Sequence, residues 1–278
     1  MKKFWIADSG STKTDWRLCE NGKAVLEIST PGINPVYQDE AGIAKIAALL
    51  QPNLTGRAGA PLYFYGAGVI NTEKADALRR VLSNLFKGII EIDTDMVGAA
   101  RALCGNKPGI ACILGTGSNS CFYNGRAIER NVPPLGFILG DEGSGAVIGK
   151  LFIADLLKDR LPDELKTDFL DRYQLTPSDI INRVYREPLP NRFLAAFAPY
   201  IVSVMEQYGE VELLVKNSVE AFFTRNVMQY NYKNHPVYFT GSVAYNIKNL
   251  LHETAKKYNI QIGEIIASPT NGLICYHS

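Results

Sequence analysis

Residues 8–14 read DSGSTKT, and the fold turns on how that stretch is read. It looks like a phosphate-binding loop of the wrong kind. A Walker loop is a strand, then GxxxxGK[ST], then a helix, whereas here Thr12 rather than glycine precedes Lys13. The next residues, Thr14-Asp15-Trp16-Arg17-Leu18, alternate as a second strand would. Outward from it, Phe4-Trp5-Ile6-Ala7 is a short apolar strand, and residues 12–18 and 23–29 supply two more. Asn21-Gly22 between the last two is a strong hairpin signal, so the chain is expected to open with an antiparallel meander.

Further along, the patterns predict a helix over 39–50, a strand over 61–65 ending at Gly66-Ala67-Gly68, and an amphipathic helix over 72–86. A strand over 88–92 and a short helix over 95–103 complete the order β-β-β-α-β-α-β-α. Gly105 to Gly109 is the best linker in the chain, and after it the opening recurs. A strand (110–114) runs into a Gly115-Thr116-Gly117-Ser118-Asn119 turn, a strand (120–123), an Asn124-Gly125 turn and a third strand (126–130). An internal repeat outranks local signals in assigning a fold. It predicts two lobes, residues 1–106 and 107–278. Residues 141–158 and 163–231 read as mostly helical, with one long helix over 210–230. A strand (237–240), a helix (243–257), a last strand (259–262) and a terminal helix (270–277) close the chain; that helix belongs with the second lobe or packs back on the first.

Bulk composition narrows the function. With 278 residues and 46% hydrophobic content, the chain can build a substantial core in two domains. A net charge of +1 gives no footprint for nucleic acid or an anionic membrane. The five cysteines (19, 104, 112, 121, 275) show no metal spacing and suit reduced, mostly buried thiols. Four apolar residues after Met-Lys-Lys are too few for a signal peptide, and no apolar run is long enough to span a membrane. The cytoplasm is the expected location. The dispersed His235, His252 and His277 are expected near the surface or a terminus and form no metal site.

Two lobes that each begin with strand, Gly/Ser/Thr turn and strand resemble the actin–hexokinase–Hsp70 ATPase superfamily. The segments DSGSTKT (8–14), LGTGSN (114–119), GDEGS (140–144) and TGSVA (240–244) narrow the resemblance. They are similar to the N-acetylglucosamine kinase family and, equally, to the related ATPases that activate benzoyl-CoA reductase and 2-hydroxyacyl-CoA dehydratase. The resemblance implies an α/β fold of two ribonuclease H-like lobes around a central nucleotide cleft, each a mixed five-stranded sheet with flanking helices. This chain departs from the family at Ser9 and Ser11, which replace glycines of the usual DGGGTKT, and at Pro133 to Phe137, where the animal kinase carries a Gly-Trp-Gly segment.

In that frame Gly10, Ser11, Thr12 and Lys13 from one hairpin, and Gly115, Thr116, Gly117 and Ser118 from the other, would hold the phosphates of ATP. Small residues are needed because Cβ bulk would push phosphate away from the backbone N–H groups. A lone copy of such a turn would be a plain hairpin; the second copy argues for phosphate. Asp8, at the end of the first strand, either forms an Asx turn or holds Mg²⁺ largely through water. Asp95 either caps the helix it opens or accepts the proton of an attacking hydroxyl as catalytic base, and Asp93 is the alternative. Asp141 is a helix cap or a sugar contact, and Asn34 a turn former or a sugar contact. Gly241 and Ser242 would lie against adenosine. The implied activity is an ATP-dependent kinase of a small amino sugar, N-acetylglucosamine or glucosamine at O6, acting as monomer or homodimer. An ATPase activator of a radical dehydratase or reductase, and a non-catalytic nucleotide or sugar sensor, are the alternatives.

Overall fold

The computed structural model describes residues 2–278. The chain divides into two compact units. The first comprises the chain up to Pro108 together with Tyr123–Glu129 and Ser268–Ser278; the second comprises Gly109–Phe122 and Arg130–Ala267.

In the first unit, β1 (Lys3–Ser9), β2 (Lys13–Glu20), β3 (Lys23–Pro31), β4 (Leu62–Gly66) and β5 (Ile90–Thr94) form one sheet in the order β3-β2-β1-β4-β5. β1 pairs antiparallel with β2 and parallel with β4, which pairs parallel with β5. Phe4, Trp5, Ile6 and Ala7 are all buried, as a central strand covered on both faces requires. Successive residues serve opposite faces. Trp5 and Ala7 join Trp16, Phe64 and Phe86 in one apolar cluster, and Phe4 and Ile6 join Tyr65, Leu273 and Ile274 in the other. Helices α1 (Glu40–Ala48), α2 (Thr72–Ser83) and α3 (Asp95–Cys104) follow in the chain. Asn21 and Gly22 take φ of 49° and 78°, the two positive values of a type I′ hairpin.

The second unit repeats the plan. Its strands β6 (Gly109–Leu114), β7 (Ser118–Tyr123), β8 (Ile128–Val132), β9 (Val237–Thr240) and β10 (Ile262–Ile266) are ordered β10-β9-β6-β7-β8. Read from the other edge, this is the order of the first sheet, with the opening strand central and its hairpin to one side. The helices are α4 (Gly136–Leu139), α5 (Gly145–Leu157), α6 (Asp163–Tyr173), α7 (Pro177–Tyr185), α8 (Pro190–Ala195), α9 (Ala198–Val204), α10 (Gly209–Arg225), α11 (Ser242–Asn246) and α12 (Lys248–Lys257). The last helix, α13 (Thr270–His277), packs in the first unit. The expected pair of mixed five-stranded sheets with flanking helices is therefore present. No helix among the described residues is long and apolar enough to cross a membrane.

Several element ends differ from expectation, each for a local reason. The last strand starts at Ile262 rather than 259 because residues 258–260 finish α12: Asn259 is left-handed (φ 53°) and the Ile260 N–H reaches back to the Ala255 carbonyl, a Schellman closure. The helix expected over 243–257 breaks at Ile247, where the Asn246 amide binds the Ser242 carbonyl. The long helix stops at Arg225, since the Asn226 side chain turns to Glu142. The Asn124-Gly125 turn is wider than a two-residue hairpin, because Asn124 Oδ1 accepts from both Arg126 and Ala127 N–H groups, and β8 starts at Ile128.

His277, expected near the surface or a terminus, is the penultimate residue yet only 9% exposed. It stacks on Tyr63 with centroids 3.7 Å apart, and its Nε2 lies 2.7 Å from Tyr65 Oη. Arg101 donates to that same Tyr65 oxygen (2.9 Å), so the tyrosine gives its own proton to His277, which must keep Nε2 unprotonated. Burial, aided by the charges of Arg101 and Lys2, lowers the His277 pKa to about 4. An imidazole depressed below its unfolded value costs nothing above pH 6.5 and penalises the fold increasingly as pH falls towards 4, because the unfolded chain takes the proton first. From pH 7.5 to 5 the wild type should lose about 2 kcal/mol relative to His277→Gln, which lacks this group. Urea unfolding of both proteins across that range measures it; a pH-independent gap would show that His277 is not held neutral.

Candidate active site

The predicted residues of the first unit gather at the C-terminal ends of β1, β4 and β5. Asp8 is the penultimate residue of β1, and half-buried. No hydrogen-bond donor among the described residues reaches its carboxylate. Burial first, then the negative charges of Asp95 and Asp15, push its pKa up to about 7, only partly opposed by Lys13 and Arg17. Asp95 stands where β5 hands over to α3, and burial raises its pKa too. Thr94, not Asp95, caps α3: its Oγ1 accepts from the Val97 N–H at 3.1 Å. Asp93 is committed elsewhere, in an ion pair with Arg101 at 2.9 Å.

Loop 10–13 needs no left-handed residue, which explains why Ser9 and Ser11 stand where glycines are usual. Gly10 N–H closes the turn on the Lys13 carbonyl, but the N–H groups of Ser11 and Thr12 have no acceptor among the described residues. Lys13 is mostly exposed and paired with Asp15 at 2.7 Å. The glycine requirement falls instead on Gly32, where a Cβ would lie 2.5 Å from the Gly10 carbonyl oxygen. Asn34 is 4% exposed. Its Oδ1 accepts from the Val36 N–H at 3.0 Å, as a turn former would, while its Nδ2 has no partner among the described residues. A Cβ at Gly68 (φ +81°) would strike Asn34 Oδ1, so Gly68 is what makes room for that amide.

The second unit brings its own predicted residues together at the ends of β6 and β9. In loop 115–118 the Gly115 N–H binds the Gly117 carbonyl, while those of Thr116 and Gly117 have no acceptor among the described residues. The loop is tied to α5: the Gly145 and Ala146 N–H groups donate to the carbonyls of Gly115 (2.8 Å) and Thr116 (3.1 Å). The first turn of this helix thus holds the loop. Asp141 and Glu142 do not start the helix as expected. They form the turn before it, with Asp141 left-handed at φ 55°, and Ser144 is the cap. The Ser118 N–H donates to the Asp141 carboxylate, whose pKa burial nonetheless lifts to about 6. Glu142 faces the other way, to Arg225 and Asn226. Gly241 (φ +115°) presses against the end of β6, where a Cβ would lie 2.3 Å from the Leu114 carbonyl oxygen, and Ser242 beside it is exposed.

Sequence reasoning missed Ser9, Thr14 and Gln38, which brace the Asn34 segment, and the Tyr65–Arg101–His277 chain beneath α3. Their only sequence signal was hydroxyl residues at either end of a glycine-type loop; nothing marked His277.

Each unit offers a small loop with free backbone N–H groups and carboxylates whose pKa burial raises, Asp8 and Asp95 in the first and Asp141 in the second. The first adds the unpartnered amide donor of Asn34. Asp8 suits a hard, water-rich cation: it is an uncompensated carboxylate, and no group of three or more acidic, His or Cys side chains that would cage a metal exists among the described residues.

No family model matches the chain. A solved structure from Porphyromonas gingivalis, provisionally assigned as an N-acetylglucosamine kinase, is 48% identical with a TM-score of 0.95, covering 99% of this chain and 98% of that one. A protein of Chromobacterium violaceum with the same provisional assignment shares the fold at 20% identity and a TM-score of 0.77, covering 100% and 99% of the two chains. The N-acetylmuramic acid/N-acetylglucosamine kinase of Clostridium acetobutylicum is 26% identical over 290 residues, 95% of this chain and 93% of that protein. At 48% identity across nearly the full length of both chains, the protein belongs to the N-acetylglucosamine kinase family and has its two-lobed, actin-like ATPase fold.

Proposed function

We propose that the protein is an ATP-dependent amino-sugar kinase that transfers the γ-phosphoryl group of ATP to O6 of N-acetylglucosamine or a close relative. The observation that carries this is the set of free loop N–H groups beside carboxylates that are not helix caps. Ser11 and Thr12, and likewise Thr116 and Gly117, would turn their N–H groups to phosphate. Gly241 and Ser242 would lie along adenosine. Asn34 would give its free Nδ2 to the sugar, and Asp141 would accept from a sugar hydroxyl.

Asp95 would act as the base. Its carboxylate takes the proton of the attacking hydroxyl as the new O–P bond forms and the bond from the γ-phosphorus to its bridging oxygen breaks, ADP leaving with that electron pair. Burial suits it to this task, because a raised pKa makes a stronger proton acceptor at neutral pH. Asp8 would hold Mg²⁺, which when bound neutralises charge on the phosphates. The cytoplasm, where ATP is available and cysteines outside disulfides stay reduced, is the compartment this reading requires.

A coupled ADP-release assay over N-acetylglucosamine, glucosamine, N-acetylmannosamine and N-acetylmuramic acid tests the activity, and phosphorus NMR of the product tests O6. ADP release that no sugar stimulates would end the kinase reading. Asp95→Ala should lower kcat by about 10²–10⁴-fold while nucleotide affinity stays within a few-fold; near-normal turnover would remove Asp95 as the base. Protons compete with a cation for Asp8, whose pKa of about 7 makes its charged form scarce in acid. The apparent Mg²⁺ affinity should therefore be about tenfold weaker at pH 6 than at pH 8. An affinity that does not change with pH would place the cation elsewhere.

A further inference from the structure

We infer that Ser9 is a positioning residue that links the sugar-contacting segment to the phosphate loop, so that nucleotide and sugar each tighten the binding of the other. The inference rests on the proposed function, in which Ser11 and Thr12 face phosphate and Asn34 faces sugar.

The link is continuous in bonds. Ser9 is fully buried, and its hydroxyl donates to the Ile33 carbonyl at 2.9 Å. In return the Ile33 N–H donates to Ser9 Oγ at 3.0 Å and to Thr14 Oγ1 at 3.2 Å. The two hydroxyls lie 2.7 Å apart; since the Ser9 proton is spent on Ile33, Thr14 is the donor of that contact. One residue away, the Gly32 N–H donates to the Thr12 carbonyl at 2.9 Å, and the bare Gly32 Cα rests against Gly10 and Ser11. One residue the other way, Asn34 N–H donates to Gln38 Oε1 at 2.8 Å, and Gln38 Nε2 donates to the Gly32 carbonyl at 3.0 Å. Residues 32–38 thus form a closed ring that is bonded to both ends of loop 10–13 and carries Asn34.

The residues at the ends of the loop do not touch either ligand in this reading. Their hydroxyls face inward, and their effect passes through the ring. A nucleotide that fixes Ser11 and Thr12 also fixes Gly32 by contact and Asn34 through the ring. A sugar that fixes Asn34 fixes the loop by the same bonds. The second ligand then meets a segment already ordered, which is positive coupling without any shared contact. Linkage requires the two factors to be equal.

Titration calorimetry of N-acetylglucosamine with and without adenylyl imidodiphosphate, and of the nucleotide with and without sugar, tests this. In the wild type each ligand should tighten the other by about fivefold or more, and in Ser9→Ala by less than about twofold. The first-ligand affinities of Ser9→Ala should change less than the coupling does, which a loss of folded protein would not produce. Should Ser9→Ala fail to fold, Gln38→Ala, on the outer side of the ring, must show the same loss. Wild-type coupling that survives in the folded variant overturns the inference, as does a wild type that binds both ligands independently. A wild type that binds neither ligand overturns the functional reading as well.

Discussion

A carboxylate taken partly out of water and given no donor is the constraint on which the site depends. Asp8 occupies that position because of the strand that carries it. β1 is covered on both faces, so Phe4 to Ala7 must be apolar, and the first place a charge can stand is the C-terminal end of the strand. There its pKa rises to about 7 through burial and through Asp95. At neutral pH that group is partly protonated, and its burial costs stability. A second carboxylate with a raised pKa, Asp95, stands beside it, and perturbed carboxylates of this kind cluster at functional sites.

Much of this was legible in the sequence, and the reason is that it lies in short-range chemistry. The repeat of strand, small-residue turn and strand gave both sheets, because hairpin turns and apolar runs are local signals. The same turns named the loops, and Asp8, Asp95 and Asp141 stood near them, Asp95 being preferred to Asp93 only by the family resemblance. Element ends were less legible, because side chains from distant positions decide them. Asn226 ends α10 by reaching Glu142, and Ile260 finishes α12 although its apolar neighbours look like a strand. His277 was illegible for a stronger reason. Nothing near it in the chain tells that Tyr63, Tyr65 and Arg101 will enclose it, and only the packing of α13 in the first unit brings them together.

Asp93 and Asp95 show how packing separates two carboxylates that spacing leaves alike. Both stand at the β5–α3 junction, and both are acidic. Asp93 is neutralised by Arg101, which is itself held by Tyr65 and so by His277. Gly98 lets α3 settle on the Tyr65 ring, and Gly272 lets α13 settle on the Ala102 backbone. The helix is therefore fixed from both sides, and Asp95, on its first turn, is the carboxylate left without a cation of its own.

Loops 10–13 and 115–118 reach the same small, N–H-presenting shape by different means, and the difference bears on charge. Loop 115–118 has the first turn of α5 bonded to its carbonyls, so the positive end of a 13-residue helix lies directly behind it. Loop 10–13 has no helix behind it, only hydroxyls and the Gly32 backbone, all neutral. Lys13 does not make up the difference, since Asp15 already holds its ammonium at 2.7 Å and the pair is largely exposed on the lysine side. With Asp15 paired to Lys13, Asp8 and Asp95 are the carboxylates at this end of the first unit that have no cation of their own. The uncompensated carboxylate of Asp8 is the group in the first unit whose chemistry suits a hard cation.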